Sequence, residues 1–179
     1  MNIALGMIEL NSIAKGIETS DFMVKAADVD IIKESTVCPG KFIIIVYGKT
    51  EAVRTAVNEG IKRGAEYVVD TLFIPKAHES LVPAISNVNE VDKVDAIGVI
   101  EFYSVASAIK AADVAVKAAN ITLIEVRIGY AVGGKGFVTL TGEIGSVKAA
   151  VKSAIAESDL LVNTAIIPRP SKKVIESLL

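Results

Sequence analysis

The chain has a single cysteine, a single histidine and few aromatic residues, 5% of its 179 positions. One cysteine excludes a disulfide within the chain and fits a reducing compartment. Few aromatics, with a formal net charge of −2, leave no basic stripe interleaved with rings. General nucleic-acid binding is therefore not expected. The longest unbroken apolar run, residues 42–47, falls far short of the ~20 residues a membrane helix needs, so no membrane partner is expected. No basic segment leads into an apolar stretch with a cleavage site, and no secretory signal is expected. His78 has no catalytic or metal-binding partner beside it in the sequence and is expected at a surface or subunit contact. No nucleophile–base set stands out, so the chain is not expected to be an enzyme. What is abundant is apolar surface: 51% of residues, with a mean hydropathy of +0.50. Such an excess has to be covered by protein, and self-association is the simplest cover.

The same unit is written twice. Residues 4–12 (ALGMIELNS) align with 96–104 (AIGVIEFYS), and Asp21 with Asp113. Val24-Lys25-Ala26-Ala27 aligns with Val116-Lys117-Ala118-Ala119. After a two-residue insertion in the second copy, Gly40-Lys41 meets Gly134-Lys135 and Gly48 meets Gly142. Ile74-Pro75-Lys76 finally meets Ile167-Pro168-Arg169. Repeats of this kind fix the fold unit before anything else. The expected domains are residues 1–92 and 93–179.

In the first copy, residues 3–10 form a short apolar run without breakers, expected as a buried strand. Asn11 or Ser12 caps a helix to about residue 27, with Ile13, Ile17, Val24 and Ala27 on the inward face and Lys15, Glu18 and Lys25 opposite. Phe22 falls on the polar side, as does Val114 in the second copy, which points to a contact with a neighbouring chain. Strands at 29–37 and 41–47 form a hairpin. Thr50 and Glu51 open a helix to about 66, a strand follows at 68–75, and a short helix at 79–86. The second copy repeats the order at 96–102, 104–119, 121–129, 135–141, 145–158 and 160–168. The pattern β-α-β-β-α-β predicts an α/β (α+β) chain of two tandem ferredoxin-like domains, each an antiparallel sheet with helices on one face.

Gly48-Lys49-Thr50 looks like the end of a phosphate loop, but the required upstream glycine is replaced by Ile43 inside a strand. The glycine-rich run 129–136 lies between two strands, with no helix N-terminus to receive a phosphate. Glu9 and Glu101 close the first strands of their copies at equivalent places, which favours a structural role. Cys38 sits in Thr36-Val37-Cys38-Pro39-Gly40-Lys41. Pro39, with fixed φ, and Gly40, which tolerates positive φ, make this a turn between strands. The thiol is therefore expected at a hairpin tip. One thiolate does not build an iron or zinc site, which takes three or four ligands, unless a symmetric oligomer gathers several copies.

The repeated ALGMIE and AIGVIE runs, VKAADV and VKAANI, and Ile166-Ile167-Pro168-Arg169-Pro170 resemble bacterial microcompartment shell domains across almost the whole chain. Two fused copies resemble the tandem-domain shell proteins, and Cys38-Pro39-Gly40 is most similar to those of propanediol-utilisation compartments. The resemblance implies a homotrimer forming a pseudo-hexameric tile within a microcompartment shell in the cytoplasm, beside other shell proteins. Lys25, Lys117, Lys76 and Arg169 would lie at tile edges. In the first copy Asp28 and Lys76-Ala77 depart from the family pattern kept by Asn120 and Arg169-Pro170. Pore loops would comprise Val37, Pro39 and Gly40, with Tyr130, Gly133 and Gly134 from the second copy. Three Cys38 thiols would hold one [4Fe–4S] cluster per trimer, for electron transfer or cluster delivery across the shell, with encapsulated redox enzymes as partners. A cube of this type has a threefold axis along its diagonal, so three equivalent thiolates suit it. The competing expectation is a trimeric ferredoxin-like sensor that binds a small metabolite between subunits.

Overall fold

A computed structural model describes residues 3–87, 89–156 and 160–178. The first copy runs β1 (Ile3–Leu10), α1 (Ile13–Ala26), β2 (Val29–Val37), β3 (Lys41–Gly48), α2 (Thr50–Gly64), a 3-10 turn (Ala65–Tyr67), β4 (Val68–Ala77) and α3 (Leu81–Ser86). The second runs β5 (Ala96–Phe102), α4 (Val105–Ala118), β6 (Thr122–Ile128), β7 (Gly136–Gly142), α5 (Ile144–Ile155), β8 (Leu161–Ile167) and α6 (Lys172–Leu178). Both sheets are antiparallel throughout, ordered β2-β3-β1-β4 and β6-β7-β5-β8. This is the expected ferredoxin-like arrangement, twice. Residues 157 and 158 of the fifth element expected in the second copy lie outside the described residues, and α6 has no counterpart among the expected elements. No described helix is long and apolar enough to cross a membrane.

The central strands explain why the apolar runs barely alternate. Every residue of β1 after Ile3 is buried, as are residues 42–46 of β3, so these two strands are buried on both faces of the sheet. Ile8, Leu10, Ile44 and Val46 meet Met23 of α1 and Val53 and Val57 of α2 in one core. Ser12 caps α1 through its hydroxyl, which accepts the Lys15 N–H at 3.3 Å, and Ser104 caps α4 through the Ser107 N–H in the same way.

Two compact units are present. One extends to Ala77 and takes in Gly129–Gly134; the other holds His78–Ile128 and the chain from Lys135 onward. The fold units and the sequence repeats therefore part at different places. Residues 78–87 and 89–92, the end of the first copy as the sequence divides it, belong to the second unit, because Leu81, Ala84 and Ile85 of α3 are buried beside β6 and α4.

The inward face of α1 is not the one its hydropathy predicts. Gly16, Thr19, Ser20 and Met23 are buried, whereas Ile13, Ile17 and Val24 are exposed. Close approach decides this: a β-carbon on Gly16 would lie 2.4 to 2.7 Å from ring and β-carbon atoms of Phe42. Phe22, expected as an outward contact, is half-buried, with the Arg63 guanidinium stacked 4.0 Å above its ring. A contrast between two glycines tests the packing. Gly60→Ala would meet the end of the Ile8 side chain and the Sδ and Cγ of Met23, flexible side chains with more room to shift than a ring. The helix-propensity gain, up to about 1 kcal/mol, should leave that variant near neutral. Gly16→Ala meets the base of the Phe42 ring, and overpacking of about 1–3 kcal/mol should outweigh the same gain. Urea unfolding midpoints of the two variants give the comparison.

Candidate functional site

The tip between β2 and β3 is a four-residue turn. The Gly40 N–H donates to the Val37 carbonyl at 3.0 Å, and Gly40 has φ +93°. Val37 is buried, Cys38 half-buried, and Pro39 and Gly40 exposed; the Cys38–Pro39 peptide bond is cis. Two anchors hold the hairpin below its tip. Phe42 is seated against Gly16, and the Lys41 ammonium donates to the Glu9 carboxylate at 2.6 Å. Glu9 is almost wholly buried, so this ion pair satisfies a carboxylate that would otherwise be costly to bury.

The second copy builds the same base. The Lys135 ammonium donates to the Glu101 carboxylate at 2.7 Å, and that hydrogen bond raises the Lys135 pKa above its ordinary value. Glu9 and Glu101 are thus structural, each bound to the lysine of the equivalent Gly-Lys pair. The signal in the sequence was the joint recurrence of glutamate and lysine in both repeats.

Beyond this base, the loop Gly129–Gly134 belongs to the same unit as the cysteine hairpin. The Cys38 N–H donates to the Gly129 carbonyl at 3.1 Å. A β-carbon on Gly129 would lie 2.7 Å from Val37, and one on Gly134 would lie 2.5 Å from the Cys38 carbonyl oxygen. Tyr130 is exposed, and Gly133, with φ +66°, has open space around its α-carbon. The structure therefore brings together the residues named at both tips. Local sequence pattern gave no sign that Gly129 and Gly134 clasp the backbone of Cys38.

Among the described residues no three His, Cys, Asp or Glu side chains gather where one metal ion would sit. The residues present suit a thiolate-ligated group. The donor is a soft sulfur at a projecting turn, and beside it Gly40 and Gly133 leave space where side chains would stand.

The basic residues named for the edges differ in setting. Lys25 is exposed and pairs with Asp21 at 2.6 Å. Lys117 pairs with Asp113, whose other oxygen accepts the His78 backbone N–H at 2.8 Å. Lys76 is exposed near the end of β4. Arg169 is exposed and lines a cleft of about 460 Å³ with Asp95, Glu143 and Ile175. His78 is half-buried at the start of the segment leading into α3, its Nδ1 accepting the Ser80 N–H at 3.3 Å.

Two BMC domains match this chain, at residues 4–77 and 96–170, and the protein belongs to that family as a tandem of two copies. It is 42% identical over 177 residues to the bacterial microcompartment shell protein PduT of Citrobacter freundii, covering 97% of this chain and 96% of that one. A crystal structure of a microcompartment protein from Desulfitobacterium hafniense superposes with a TM-score of 0.94 at 40% identity, over 98% of this chain and 99% of that one. The carboxysome shell protein CsoS1 of Prochlorococcus marinus is 38% identical over 92 residues, which is 50% of this chain and 89% of that protein. This is a structural shell protein of a bacterial microcompartment.

Proposed function

We propose that three chains close into a ring of six domains, a pseudo-hexameric tile that packs beside other shell proteins. At the ring's centre three Cys38 hairpins hold one [4Fe–4S] cluster. The observation that carries this reading is the half-buried Cys38 thiol at a projecting turn, in a chain whose described residues offer no metal site of their own. When bound, such a cluster supplies one-electron transfer. The protein's own residues position the sulfur. Lys41 and Glu9 fix the base of the hairpin, and the Gly129 carbonyl fixes the Cys38 amide. A cluster held there would serve electron transfer between encapsulated redox enzymes and the cytoplasm, or cluster delivery across the shell. Lys25, Lys76, Lys117 and Arg169 meet neighbouring tiles.

A sensor that binds a metabolite between subunits predicts a discrete trimer. A tile predicts a trimer that also grows into sheets or tubes at high concentration. Native mass spectrometry followed by electron microscopy separates them. A trimer with extended sheets is the expected result, and a monomer or a trimer that never tiles would overturn the reading.

A further inference from the structure

We infer that the glycine-rich loop of the second copy is a backbone cradle for the cluster. The amide N–H groups of Ala131, Val132 and Gly133 donate to its sulfur atoms, while the first copy supplies the thiolate. This deepens the function proposed above and rests on it.

Hydrogen-bond accounting carries the inference. Sulfurs of a thiolate-ligated cluster are negatively charged, and hydrogen bonds to them help to set its reduction potential. The cysteine turn has no donor left for that task. The Cys38 N–H is used on the Gly129 carbonyl, Pro39 has no N–H, and the Gly40 N–H is used on the Val37 carbonyl. The cationic side chains that flank the tips most closely in the chain are committed as well. Lys41 pairs with Glu9 at 2.6 Å, Lys135 with Glu101 at 2.7 Å and Arg127 with Glu125 at 2.8 Å. Negative charge at the tips is therefore left to peptide dipoles.

The second loop has what the cysteine turn lacks. Among the described residues none accepts, in ordinary hydrogen-bond geometry, from the N–H of Ala131, Val132 or Gly133. Gly129, Ala131 and Gly133 have φ of +62°, +57° and +66°, whereas Tyr130 and Val132 between them have negative φ. Such alternation of hand turns successive N–H groups toward one side. The result is the concave nest that holds phosphates and iron–sulfur groups elsewhere. Ala131 takes this path although it has a β-carbon, which is uncommon.

The cradle lies against the ligand residue. The Cys38 amide reaches the Gly129 carbonyl at 3.1 Å, and Gly134 abuts the Cys38 carbonyl oxygen. The two-residue insertion between the copies falls at this hairpin, so the tip without a cysteine is the longer one. One copy has the sulfur and no spare amide; the other has spare amides and no sulfur.

Two measurements on the full-length protein, reconstituted anaerobically with iron and sulfide, test this. The first uses the unaltered sequence labelled with nitrogen-15 at alanine alone. Ala131 is the only alanine within residues 36–41 and 129–135. Pulsed electron paramagnetic resonance of the reduced cluster should show a coupled nitrogen, as a hydrogen-bonded peptide gives. The second replaces Val132 by its α-hydroxy acid, which exchanges the N–H for an ester oxygen and keeps the side chain. Iron content should hold, and the reduction equilibrium should move about tenfold or more toward the oxidised form, a fall of about 59 mV for one electron. No alanine coupling, or an ester variant with the parent's potential, overturns the cradle and leaves the cluster standing. A parent protein that takes up no iron overturns the cluster and the cradle together.

Discussion

Changing Cys38 to serine should remove all iron and all visible absorption from protein purified without oxygen, while leaving fold and assembly unchanged. The expected loss is complete because one substitution takes a ligand from every subunit at once. No other cysteine exists in the chain to replace it, and the described residues hold no alternative cluster of ligands. A hydroxyl is a poor substitute for a thiolate on iron. The fold should not notice. The two backbone hydrogen bonds at the tip use the Cys38 amide and the Val37 carbonyl, not the sulfur. A change at such a place normally stays within about 0.5 kcal/mol. Colour that survives the substitution would show that the metal sits elsewhere.

Gly134→Val should unseat the cluster with the thiol still present. Gly134 has φ +79°, a conformation that costs an ordinary residue about 1–2 kcal/mol. Its β-carbon would also press on the Cys38 carbonyl oxygen, a backbone atom that cannot rotate away. The two loops must then part, and the Cys38 N–H to Gly129 contact goes with them. We expect a stability loss of about 2–4 kcal/mol in urea unfolding and iron reduced to less than about half, combining backbone strain and overpacking. Gly133→Ala is the control. It has φ +66° but nothing within 4 Å of the added carbon, so it should pay the backbone term alone and keep its iron. Equal iron in both variants would mean that the clasp between the loops does not position the sulfur.

The architecture was legible because the same residue pattern recurs twice and its strands are nearly uniform apolar runs. The hairpin tip was legible because Pro39 and Gly40 leave few other readings. Three features were not. The wheel reading of α1 weighed side-chain hydropathy, while the packing at Gly16, Thr19 and Ser20 rewards smallness instead. The division between fold units depends on where α3 docks, and the match of Leu81 and Ile85 to β6 is a contact between distant positions. The clasp of Gly129 and Gly134 on Cys38 likewise joins residues far apart in the chain, and glycine spacing alone carries no partner. His78 illustrates the same gap. Its backbone N–H, not its imidazole, makes the contact with Asp113.

The most direct measurement is native mass spectrometry of the anaerobically purified protein, with iron and acid-labile sulfide determined on the same sample. The account predicts a trimer that carries about four irons and four sulfides for every three chains. A trimer that stays free of metal after anaerobic reconstitution with iron and sulfide, or iron bound to single chains, would contradict it.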